Sequence, residues 1–127
     1  TLEYSYDDWC VTRLAKDFND KDLVYYSQRG DFYKNLFSKD ENFMIGRKSN
    51  FQFISDFDPM ETTGHYTEAN AYQYSSFVPQ DIQGLIELMG GDKNFENWLD
   101  SCFSVQIDYS KINVRDVTGT YRTICAW

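Results

Sequence analysis

"DIQGLIELMGGDKNFENWLDSCF", Asp81 to Phe103, is the stretch that decides the fold. Ile82, Leu85, Ile86 and Met89 recur at helical spacing. Phe95, Trp98, Leu99, Cys102 and Phe103 then recur at i, i+3, i+4, i+7 and i+8. Between the two stripes stand Gly90 and Gly91, which end a helix through a left-handed cap, and Asp92, which favours the start of the next. Two amphipathic helices across so tight a turn make an antiparallel helical hairpin. Pro79 marks its start, because a missing amide hydrogen costs nothing in a first turn, and Asp81 complements the helix dipole there.

Upstream, Leu2, Tyr6, Trp9, Cys10, Leu14 and Phe18 follow the same period and predict a first amphipathic helix with this stripe facing the core. Asp20 caps a second, which carries Leu23, Val24, Tyr26, Phe32, Tyr33 and Leu36 and is interrupted by Gly30. From Ser38 to Gly64 the pattern changes to a long ordered loop punctuated by Gly46, Pro59 and Gly64. Phe51 and Phe53 alternate with polar residues there ahead of "DFDP", which suits a short strand pair. A short helix is expected from Tyr66 to about Phe77. Beyond Phe103, Val105, Ile107 and Tyr109 alternate in a strand-like tail. The fold class is therefore mostly α, with a long ordered loop and a strand-like C-terminal tail.

The chain has 127 residues, within the usual size of one domain, and ten Tyr and ten Phe give it ample material for a core. Its net charge of -8, without clustered Lys and Arg, argues against nucleic acid and against an anionic membrane surface. No apolar run is long enough to span a bilayer. The chain opens on "TLEYSYDDWC" without Met, so compartment cannot be read from this end. Cys10, Cys102 and Cys125 are odd in number and lack a C-x-x-C pairing, which indicates neither a disulfide framework nor a zinc site.

The chemistry-bearing stretch is "GHYTEANAYQYSSFVPQD", Gly64 to Asp81. On a helix Glu68 and Tyr72 share a face, with Asn70, Gln73 and Tyr74 at neighbouring angles. Burial against rings raises a carboxyl pKa and amides orient it, so Glu68 has the surroundings of a proton donor; the competing reading is an exposed helix glutamate. His65, the only histidine, rules out a multi-histidine metal site and reads as a substrate hydrogen-bonding residue or a loop residue. Asp81 is a helix stabiliser or a substrate ligand. Asp7 with Asp8 and Asp56 with Asp58 do not form a D-x-[DN]-x-[DN]-G calcium loop.

"HYTEANAYQYSSFVPQDIQGLIELMGGDKNFENWLDSCF", 65 to 103, resembles the signature of the glycoside hydrolase family 92 α-mannosidases, and "TLEYSYDDWC", "YKNLF" and "FMIGR" resemble it in the right order upstream. The resemblance implies that 1–103 is part of an (α/α)-toroid catalytic domain, with 104–127 an unassigned tail. It implies that the rest of that domain and a β-sandwich domain are its partners, and that the parent enzyme is a calcium-dependent, inverting exo-α-mannosidase, secreted or periplasmic, acting on α-mannoside glycans. The family's general acid maps onto Glu68. His65, Tyr66, Asn70, Gln73 and Asp81 are then the expected substrate-binding set, with the calcium ligands and the general base in later motifs that this sequence lacks. Ala69, Tyr72 and Gln80 replace the usual glycine, tryptophan and histidine. Read so, the chain holds the acid half of a site and is inactive alone; the competing reading is a non-catalytic helical remnant. Trp98, Leu99 and Phe103 would then stand without their neighbours in the toroid.

Overall fold

The computed structural model describes residues 1–17, 22–61, 65–67 and 69–106. In chain order the elements are α1 (Leu2–Asp17), α2 (Leu23–Gly30), a 3-10 helix (Asp31–Leu36), β1 (Phe37–Ser38), β2 (Phe43–Met44), α3 (Ala71–Tyr74), α4 (Ile82–Leu88) and α5 (Asp92–Ser104). The fold is mostly helical with one small antiparallel sheet. Phe18, Asp20, Glu68, Cys125 and the tail from Ile107 lie outside the described residues; α2 starts at Leu23 with Asp22 in the N-cap position, later than the cap expected at Asp20.

The helical hairpin stands as expected, with Gly90 and Gly91 at φ 90° and 101° and the Gly91 amide reaching back to the Ile86 carbonyl at 2.8 Å. Its start differs. Pro79 sits in the preceding turn, and Asp81 is the N-cap, its Oδ1 accepting from the Gly84 amide at 2.9 Å. The expected burial of the stripe also needs correcting. Leu85 and Met89 are buried but Ile82 is exposed. On α5, Trp98 and Cys102 are buried whereas Phe103 is 74% exposed. Trp98 does not lack neighbours: its ring meets Phe43 of β2 edge-on at 6.0 Å and stacks on Phe95 at 6.4 Å.

Helix α1 exists, but its buried face is Leu2, Ser5, Asp8 and Ala15 rather than the Tyr6, Trp9 and Leu14 stripe. The reason is close packing on α2. A side chain at Gly30 would begin 3.5 Å from the Trp9 Cβ and 3.7 Å from the Ser5 carbonyl, so α2 packs on the face of α1 that carries Ser5 and Trp9. Asp8 is drawn inward by Arg29, whose Nε donates to its Oδ2 at 2.8 Å. The second predicted helix is two elements, an α-helix that stops at Gly30 and a 3-10 turn that buries Tyr33 completely.

The strand pair comes earlier than "DFDP": Phe37 pairs with Met44 and Ser38 with Phe43, across a turn that Asn42 closes at φ 61°. Phe51 and Phe53 contribute only an isolated bridge between Arg47 and Phe53. Phe43 is the hub of the aromatic core, with Tyr72 at 4.9 Å and Phe57 at 5.7 Å between ring centroids.

Candidate active site

The short helix expected from Tyr66 to Phe77 is one turn, Ala71–Tyr74. Asn70 starts it through a capping box: its Oδ1 accepts from the Gln73 amide while the Gln73 side chain accepts from the Asn70 amide. Residues 65–67 and 69 are turn and bend, so among the described residues the helix begins only after Asn70; the face expected to be shared by Glu68 and Tyr72 falls on a residue outside the described ones.

That turn is docked on β2. In the two-stranded ladder the Ile45 amide donates to Leu36, so Phe37 and Met44 face each other at a non-hydrogen-bonded position and the peptide groups of Met44 point away from β1. Both find partners there. The Met44 amide donates to Ser75 Oγ at 2.9 Å, and its carbonyl accepts from the Tyr66 hydroxyl at 2.6 Å. Burial pushes the Tyr66 phenol up to about 12, which keeps it protonated and a donor.

Beside this junction lies a cleft of about 290 Å³, lined by Glu3 of α1, by Met44, Gly46 and Arg47 on one wall, and by His65, Tyr66, Thr67 and Tyr74 on the other. Glu3 accepts from the Tyr74 hydroxyl at 3.2 Å. Arg47 is locked in place: it donates to the carbonyls of Asn35 and Phe51, and its guanidinium lies 3.8 Å from the Phe53 ring centroid. The cleft thus holds an acid, a fixed cation, an imidazole and phenols around a space the size of a small polar ligand.

Of the expected site residues, His65 and Tyr66 line this cleft and Glu68 lies outside the described residues. The chain on both sides of Glu68 is described: Thr67 lines the cleft and Ala69 is buried. Asn70 is buried and Gln73 exposed, joined as cap partners. Asp81 stands elsewhere, receiving the Tyr33 hydroxyl at 2.6 Å with Lys34 at 3.6 Å. Tyr33 first, then the Gly84 amide and Lys34, hold the Asp81 carboxyl below its ordinary range against the opposing effect of burial. Gln80 lines a separate depression with Trp9 and Thr12, and its amide is buried without a hydrogen-bond partner. Glu3, Gly46 and Arg47 were not among the expected residues.

The family model for the glycosyl hydrolase family 92 catalytic domain matches residues 1–123. The chain belongs to glycoside hydrolase family 92. Its match to the family runs past residue 103. The fold is similar to the family GH92 α-mannosidase BT3965 of Bacteroides thetaiotaomicron, with a TM-score of 0.77 and 36% identity over 84% of this chain and 14% of that one. A second structure of BT3965, in complex with mannoimidazole, gives a TM-score of 0.78 at 33% identity, over 84% of this chain and 15% of that one. The inverting mannosidase BT2199 of the same organism gives 0.77 at 34% identity, over 86% and 15%. An uncharacterized secreted glycosidase of Arthroderma benhamiae is 29% identical over 86% of this chain and 17% of its own length. The chain thus spans under a fifth of the relatives it matches.

Family membership makes calcium a question for these residues. Among the described residues no group of three or more His, Cys, Asp or Glu side chains is placed to hold a metal ion. The described side chains do not fit a calcium site, and no step below is routed through one. Among the described residues no helix is long and apolar enough to cross a membrane.

Proposed function

We propose that this chain supplies the acid-bearing part of an α-mannosidase active site, within an (α/α)-toroid domain whose remainder carries the general base and any calcium ligands. Glu68 protonates the glycosidic oxygen of an α-mannoside as the bond to the anomeric carbon breaks. The observation that carries this reading is the family match across the Glu68 segment, joined to a cleft whose wall includes Thr67, the residue before it. The mannoimidazole complex of a related structure supports a mannose-like occupant.

In this reading His65 hydrogen-bonds sugar hydroxyls from the cleft wall, and the Tyr66 ring closes the wall behind them. Asn70, Gln73 and Asp81 serve the site through the elements they cap. An inverting mechanism needs a second carboxylate roughly 6.5–9.5 Å from the acid to activate water. The later family motifs supply that carboxylate. The parent enzyme acts outside the cytoplasm, as the secreted relative suggests, and its substrates are α-mannoside glycans of the N-glycan or mannan type.

The test is Glu68→Gln in the full-length enzyme. Loss of the proton donor is expected to lower kcat/KM on a mannose disaccharide by about 10²–10⁴. An undiminished rate would remove Glu68 from the mechanism.

A further inference from the structure

Gly46 follows β2 in the cleft wall. Nothing about its backbone calls for glycine. The positive-φ glycines among the described residues are Gly90 and Gly91, so Gly46 adopts a conformation open to any residue. Its carbonyl accepts from the Ile54 amide at 3.0 Å, a bond that alanine would keep. What distinguishes the position is its neighbour. A Cβ on Gly46 would lie 3.1 Å from His65 Nδ1, 3.4 Å from Cγ and 3.6 Å from Cβ, a tighter approach than side chains ordinarily make.

We infer that Gly46 is a positioning residue: its missing side chain gives the His65 imidazole its seat in the cleft. If a side chain were added, it would press on the His65 ring, and the backbone that carries it is held on both sides. Met44 is held through both of its peptide groups, and Arg47 by two carbonyls and the Phe53 ring. Gly46 lies between these anchors. The His65 ring is the group that an added methyl would meet, so the strain falls on its orientation. Specificity at this point of the cleft is therefore set through the imidazole that Gly46 seats. The inference rests on the proposed role of His65 as a sugar ligand, and it adds the residue that fixes where that ligand points.

The experiment is a double-mutant cycle in the full-length enzyme with Gly46→Ala, His65→Ala and the pair. A displacement of a few tenths of an ångström is expected to raise KM for a mannose disaccharide about 3- to 10-fold while kcat changes less than about twofold. In the His65→Ala background the same substitution is expected to have no further effect, because the obstructing ring is gone. The His65 Cε1–H resonance, assigned by its loss in His65→Ala, should shift in Gly46→Ala while the melting temperature stays unchanged. A penalty that persists without His65, or an unmoved resonance, overturns the inference. The resonance reads seating independently of catalysis. Should Glu68→Gln leave the rate intact while the resonance still moves, the acid assignment falls and the positioning role stands.

Discussion

Tyr66→Phe removes one oxygen and leaves the ring, which isolates the bond that docks the turn before Glu68 onto β2. The lost partner is the Met44 carbonyl, which points away from β1 and accepts from Tyr66 at 2.6 Å. Met44 is 1% exposed, so water cannot take the place of the hydroxyl. A buried acceptor left without a donor costs about 1–3 kcal/mol, more than the usual net worth of an intact hydrogen bond. Urea unfolding followed by tryptophan fluorescence reads this directly. With a slope of about 2 kcal/mol per molar urea, the midpoint should fall by about 0.5–1.5 M. The deficit should not vary between about pH 5 and 9, because burial raises the phenol to about 12 and it titrates above that range. A midpoint within about 0.2 M of the parent, against a slope of that size, would show that the carbonyl is satisfied elsewhere and that this docking is wrong.

Two further predictions concern the Tyr33–Asp81 pair. The Asp81 carboxyl is held below its ordinary value of 3.8, chiefly by the Tyr33 hydroxyl, so its contribution to stability is complete above that value and is lost as pH falls through the lower folded one. Asp81→Asn lacks that contribution, and its stability deficit relative to the parent should shrink as unfolding is measured from about pH 6 down into the acid range below 3.8; a constant deficit would contradict the pairing. Gly84→Ala should gain about 0.8–1 kcal/mol from helix propensity alone. Its Cβ would nevertheless overlap Asp81 Oδ2 and lie 2.5 Å from the Tyr33 hydroxyl oxygen, so a lower melting temperature is expected, and a higher one would mean the pair is not seated there.

The helical hairpin was legible because two signals of different origin agree there, the 3.6-residue period on both sides and a Gly-Gly pair that leaves the right-handed region between them. Helix α1 was legible as a helix but not in its orientation. Periodicity ranks faces by apolarity, whereas α1 packs through Ser5 and Asp8, chosen by the close approach at Gly30 and the Arg29 ion pair. The overlong helix at Tyr66 overlooked a sign in the sequence: Asn70 followed three residues later by Gln73 is a capping box, which starts α3 after Asn70. The family was legible from short motifs, and the match over 1–123 bears it out. The cleft was not. Glu3, the Gly46–Arg47 pair and His65 come from three separate parts of the chain, and the docking of the turn on β2 helps to bring them together.

The most direct test of the central claim compares the parent enzyme with Glu68→Gln across α-mannosides whose leaving groups range from nitrophenol to a sugar alcohol. A general acid matters most when the departing oxygen is most basic. The account predicts near-parent rates for the variant on nitrophenyl mannoside and a deficit that grows to about 10²–10⁴ on the disaccharide. Equal dependence on leaving-group basicity in the two enzymes would contradict it.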